Sequence, residues 1–218
     1  MSKKLGSEIA SVNLDLVGVK ARAALAAGDS QLILDDVKVP EYYNQLKEFL
    51  RSPDNIAKVM SYSPLSIKET ILADIPSKLT KQMINCFKLV LEYAGDIQPT
   101  TNPPSSPETG TSIIKAIADV LYTSARDEVV LQIVKQYTEC PSNQKALIYL
   151  DLLIGILTFM KVSIPEVSKF MSEFIANEKA KSQDIFMKKK FSYLESCVAA
   201  VNLASTFNPE CNSFGWAI

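Results

Sequence analysis

Few residues in this chain could do chemistry, and histidine is not among them: its 218 residues include none. That removes the commonest general base and the commonest metal ligand together. Zinc sites of the Cys/His type, haem on a proximal histidine and Ser-His-Asp hydrolysis are excluded with it. Four cysteines remain, Cys86, Cys140, Cys197 and Cys211, and their spacing fits neither a metal knuckle nor a small disulfide framework. Cys86 and Cys197 read as small buried hydrophobes. A cysteine nucleophile without histidine needs a lysine or a helix N-terminus to lower its pKa; only Cys140, just ahead of a helix start, meets that condition. The acid pairs Asp35-Asp36 and Asp127-Glu128 are adjacent in sequence, so on a helix they diverge and read as solvated caps. No phosphate-binding glycine loop, dinucleotide fingerprint, metalloprotease helix or nucleophile elbow occurs. The expectation is a protein with no catalytic residue, no metal and no cofactor.

Two other groups point to binding. Lys179, Lys181, Lys188, Lys189 and Lys190 stand against Asp184 alone and interleave with Phe186, Phe191 and Tyr193. Basic residues beside aromatics can bind nucleic acid or anionic lipid. They can also be a solvated turn whose lysine stems cover apolar neighbours. The formal net charge is −1 and evenly spread, which favours the solvated turn and leaves this patch alone to meet a polyanion. The second group is the ending FNPECNSFGWAI, with Phe207, Phe214, the single tryptophan Trp216 and Ile218. Aromatic anchors of this kind form interface hot spots. The tail either folds back on its own bundle or docks on a neighbouring subunit.

The elements that must position these groups read as helices. The composition is globular, 47% apolar and 22% charged with only 7 glycines. The strongest core former is 142–162, where from Ala146 to Met160 only Tyr149, Asp151, Gly155 and Thr158 interrupt an apolar run. A helix apolar on every side is the centre of a bundle or a membrane span; the run is short for a span and carries Asp151, so the buried reading is favoured. Gly155 reads as a close approach of a neighbouring helix, or as a hinge or ligand wall. Around this centre the three-to-four spacing predicts helices over 8–27, 40–51, 54–61, 65–74, 76–95, 113–121, 124–138, 164–178 and 182–206. Ser63-Pro64 with Ser66 and Glu69, Ser124 with Asp127, and Ser163 with Glu166 supply their N-caps. The pair 142–162 and 164–178 reads as a hairpin that nucleates the fold. Residues 98–110, with four prolines, read as an exposed loop.

The fold class expected is therefore all-α: a single bundle of about eight or nine helices over 1–206 around the central helix, with 207–218 as an aromatic tail. In outline this is similar to Bcl-2-like regulators, pore-forming toxin domains and viral matrix or capsid proteins, but no motif carries any of these likenesses. The function expected is non-enzymatic protein interaction or self-assembly, as in a structural matrix- or capsid-like subunit, with the protein's own copies as partner and the tail as docking arm. The alternative is a binder of apolar ligands or lipid, or a membrane-active protein, that uses the central helix. Nucleic acid or anionic lipid would have to engage the lysine patch. Glu8 and Asp15 interrupt the apolar run that a signal peptide needs, so the cytoplasm is the expected compartment.

Overall fold

The computed structural model describes residues 40–98, 115, 117, 119–120, 123, 125–159 and 161–207; of 159 and 200–207 it describes only the helical backbone. All belong to one unit, Pro40–Ile218. The expected helix 8–27, the proline-rich stretch 99–110 and residues 208–218 lie outside the described residues. Within them the all-α expectation holds. The elements are a 3₁₀ turn at Glu41–Leu46, a second at Pro53–Asn55 that runs into α1 (Ile56–Met60), then α2 (Ser77–Tyr93), α3 (Arg126–Tyr137), α4 (Asn143–Phe159), α5 (Pro165–Lys181) and α6 (Ile185–Phe207). Lys115, Ile117, Asp119 and Val120 are helical ahead of α3. The only β pairing among the described residues is an isolated bridge, Leu50 to Leu72.

The most enclosed helix is α3 rather than 142–162. Every residue from Asp127 to Gln136 is buried, five of them polar or charged. Buried polar groups are costly unless hydrogen-bonded; each of these side chains bonds to the backbone of another segment, and Gln132 Oε1 alone among their oxygens has no partner among the described residues. Glu128 accepts the N–H of Ile71 at Oε1 (2.9 Å) and of Leu72 at Oε2 (2.8 Å). Gln132 donates to Glu128 Oε1 (3.0 Å) and to the Met83 carbonyl (3.1 Å). Gln136 accepts the Ser63 N–H (3.0 Å) and donates to the Ser63 carbonyl (2.8 Å), as a neighbouring peptide group would. Lys135 donates to the Ser61 carbonyl, and burial pushes its ammonium down to about 8. Asp127 accepts from Ser163 N–H (2.8 and 3.0 Å) and Ile164 N–H (2.6 Å). Burial raises the Asp127 and Glu128 carboxyls above the usual carboxylate range, against the pull of these donors.

These bonds correct three expectations. Asp127 and Glu128 are not solvated caps; both are buried and serve distant backbone. Residues 65–74 form no helix, because Glu128 and the Phe49–Arg51 backbone hold their polar groups instead: Arg51 N–H donates to the Ile71 carbonyl (2.9 Å) and Ala73 N–H to the Phe49 carbonyl (2.8 Å). At the start of α5 the N-cap position falls on Ile164 with no side-chain cap. The Asp127 carboxylate supplies from across the fold what Ser163 was expected to supply locally, and its charge suits the positive end of α5.

Helix α4 has one exposed flank, carrying Asp151 and Gly155, while Tyr149, Leu150, Leu152, Leu153, Ile156 and Leu157 face inward. No helix of the described residues is long and apolar enough to cross a membrane. Nor do α4 and α5 form the expected hairpin: α4 packs on α3 and α6, and α6 packs on α4 and α5. The opening 3₁₀ turn packs on α5, in place of a full helix over 40–51. Rings join these layers. Tyr43 meets Phe170 edge-on (5.0 Å), Tyr137 meets Phe174 (5.5 Å) and Phe191 (5.8 Å), and Tyr43 hydroxyl bonds Thr138 Oγ1 at 2.8 Å. The prediction for α2 holds over Ser77–Tyr93: it ends at Gly95 (φ 71°), with Gly95 N–H on the Glu92 carbonyl and Asp96 N–H on that of Leu91.

Two substitutions test this reading. Glu128→Gln keeps the shape but turns an N–H₂ toward a backbone N–H. It should lower unfolding free energy in urea by about 1–3 kcal/mol despite removing a buried charge; an unchanged midpoint would contradict the assigned role. A Cβ on Gly155 meets nothing within 4 Å, so no neighbour approaches closely there, contrary to the first sequence reading. Gly155→Ala should raise stability by about 1 kcal/mol, read as a rise in melting temperature.

Candidate interaction surface

The turn between α5 and α6 ends at Asp184, whose Oδ1 accepts the Phe186 N–H at 2.7 Å. This is an N-cap of the second helical residue, and it starts α6. The inward stripe of α6, Phe191, Leu194 and Cys197, is buried. The opposite stripe has no such cover: Ile185 is 68% exposed, Phe186 70% and Tyr193 53%. Residues three, four and seven apart share a helix face, so Phe186, Lys189 and Tyr193 form one line, with Ile185 beside it. The nearby serines add little polarity, because Ser192 Oγ and Ser196 Oγ each donate to the carbonyl four residues back, at 3.0 Å.

The structure divides the five lysines. Lys179 pairs with Glu195 (2.7 Å), Lys181 with Glu178 (2.8 Å) and Lys190 with Asp151. The excess over Asp184 read from sequence is therefore matched largely by acids from α4, α5 and α6. Lys188 and Lys189 are exposed and form no ion pair among the described residues. What remains is a small apolar face beside two exposed cations, Lys188 and Lys189, that form no ion pair among the described residues. Of the predicted tail contacts, Phe207 is the last residue of α6; Phe214, Trp216 and Ile218 lie outside the described residues.

A second cluster of polar groups is internal. The Asp96 carboxylate, with its side chain 1% exposed, accepts the Tyr62 hydroxyl (2.8 Å) and the Tyr149 hydroxyl and pairs with Lys145. Burial pushes both phenols above their ordinary range, which keeps them hydrogen-bond donors. The cluster ties the end of α2 to α4 and to the segment after α1. No sequence pattern marks it, since Tyr62, Asp96 and the Lys145–Tyr149 pair lie dozens of residues from one another. Cys140, the one cysteine read as a candidate nucleophile, has its thiol pushed up by burial. No group of His, Cys, Asp and Glu among the described residues is arranged to hold a metal ion.

No family model matches this sequence, and no curated protein does. Solved structures share its fold. The chain is similar to the MyTH4-FERM MF2 domain of Dictyostelium discoideum myosin VII (15% identity, TM-score 0.65, covering 75% of this chain and 36% of that one). It is similar also to the MF1 domain of the same myosin (19%, 0.55, covering 66% and 29%). A third likeness is to the human myosin 7b C-terminal MyTH4-FERM domain, solved in complex with the harmonin-a PDZ3 domain (19%, 0.52, covering 70% and 30%). At these identities the likeness shows the fold. The chain spans about a third of the length of the structures it matches.

The cap at Asp184 yields a direct test. Asp184→Ala should cost about 1 kcal/mol of stability and loosen the first turn of α6, seen as faster amide exchange at Phe186. Unchanged exchange there would show that the cap does not set the face.

Proposed function

We propose that this chain is a non-enzymatic helical module that binds another protein, with the exposed face of α6 as the docking surface. The observation that carries the proposal is the line Phe186–Lys189–Tyr193 with Ile185 beside it, held on a helix whose other face is locked into the core. Aromatic side chains with little conformational freedom are the usual anchors of protein interfaces. The fold likeness supports the same reading, since this fold recurs over 30% of the myosin 7b MyTH4-FERM chain, a structure solved with a protein partner. Nothing in these neighbours supports self-assembly through Phe207, Phe214, Trp216 and Ile218, a matrix- or capsid-like subunit, or nucleic-acid or lipid binding. The proposal is therefore restricted to a different protein as partner. The cytoplasm is the proposed compartment, with Cys86, Cys140 and Cys197 as free thiols.

The test is capture of partners on the immobilised full chain, run beside a Phe186→Ser/Tyr193→Ser variant of equal melting temperature, with photo-crosslinkers at Lys189. The reading predicts a defined protein crosslinked at that position in the wild type and lost in the variant. No protein bound to either chain would contradict it.

A further inference from the structure

The composition of the α6 face specifies its partner more closely, and this inference rests on the protein-binding reading above. Ile185, Phe186 and Tyr193 present apolar surface; Lys189 stands in line between Phe186 and Tyr193 and Lys188 beside it, both exposed and with no ion pair among the described residues. A bulk anionic surface is a poor match, because the carboxylates of Glu178, Asp184, Glu195 and Asp151 are set among the lysines and would be repelled by it. A partner with individually placed charges can oppose Lys188 and Lys189 while avoiding those acids. The stripe from Ile185 to Tyr193 extends roughly 12 Å along a helix, enough for two turns of a second helix packed ridge into groove. The described residues offer no strand whose edge could take an extended peptide; their one β contact is the Leu50–Leu72 bridge.

From this we infer that α6 docks an acidic amphipathic helix of a partner protein. The leucine-type ridge of that helix sits on Ile185, Phe186 and Tyr193, and its Glu or Asp residues flank the ridge to meet Lys188 and Lys189. Burial of the rings supplies the affinity, and the two lysines set orientation and partner choice. Raising salt weakens binding only in part, since both lysines are exposed to solvent and the rings supply the affinity.

The experiment uses the full chain and two labelled 18-residue helical peptides that share a leucine stripe. One carries glutamate on its flanks, the other lysine. The glutamate peptide should bind at least tenfold more tightly by fluorescence anisotropy. Phe186→Ala should weaken it at least tenfold, and Lys188→Glu/Lys189→Glu should abolish or reverse the preference between the peptides. Both variants alter exposed residues, and equal melting temperatures confirm that each is folded. Equal binding of the two peptides, indifference to both variants, or no binding of the glutamate peptide overturns the inference. Sedimentation with phosphatidylserine vesicles in place of peptide binding overturns it in favour of lipid; a doubled molar mass lost in Phe186→Ala overturns it in favour of a second copy. A cellular partner that stays bound to both variants would leave the protein-binding reading standing and remove only this face.

Discussion

The Glu128 carboxylate holds two consecutive backbone amides, Ile71 and Leu72, that neither a helix nor a strand provides with a partner. Around it the buried side of α3 repeats the device. Gln136 pairs with Ser63 as a peptide group would, Lys135 takes the Ser61 carbonyl, Gln132 takes that of Met83, and Asp127 closes the start of α5. An unsatisfied buried donor or acceptor costs more than a satisfied one contributes. Once α3 is enclosed, each of these contacts must therefore form together with the others. These contacts tie the irregular segment 61–75 to α3 at Ser61, Ser63, Ile71 and Leu72.

The surface follows from that centre. Asp127 anchors the first turn of α5, and the rings of Tyr137, Phe174 and Phe191 carry the arrangement from α3 through α5 to the inner face of α6. With its inner stripe locked, α6 has no freedom to rotate Ile185, Phe186 and Tyr193 inward. The ion pairs to Glu178, Glu195 and Asp151 hold three of the five lysines beside the face. Exposed pairs of this sort contribute little stability; their effect is to neutralise most of the local charge and leave Lys188 and Lys189 as the free cations.

Helix type and place were legible in the sequence wherever periodicity was strong. Residues 76–95 carry their apolar stripe, and Gly95 marks the end by allowing a left-handed residue after the last turn. The helices after residue 124 were read within a few residues of their ends. The layering was not legible. An apolar run such as 146–160 announces burial and so reads as the centre; the most enclosed helix instead carries Asp127, Glu128, Gln132, Lys135 and Gln136, letters that periodicity assigns to solvent. Their partners are backbone groups far away in sequence, and backbone groups leave no trace in residue types. For the same reason Ser63-Pro64 with Ser66 and Glu69 imitated a helix start, though tertiary acceptors claim that segment. The lysine run was visible but its neutralisation was not, since Glu178, Glu195 and Asp151 become neighbours only on folding.

Amide hydrogen exchange tests the central claim most directly. If α3 side chains hold the irregular segments as described, the amides of Ser63, Ile71, Leu72, Ser163 and Ile164 exchange only through global unfolding, with protection equal to that of the α3 core. Exchange of Ile71 and Leu72 at the rates of open loops, while α3 itself stays protected, would contradict it.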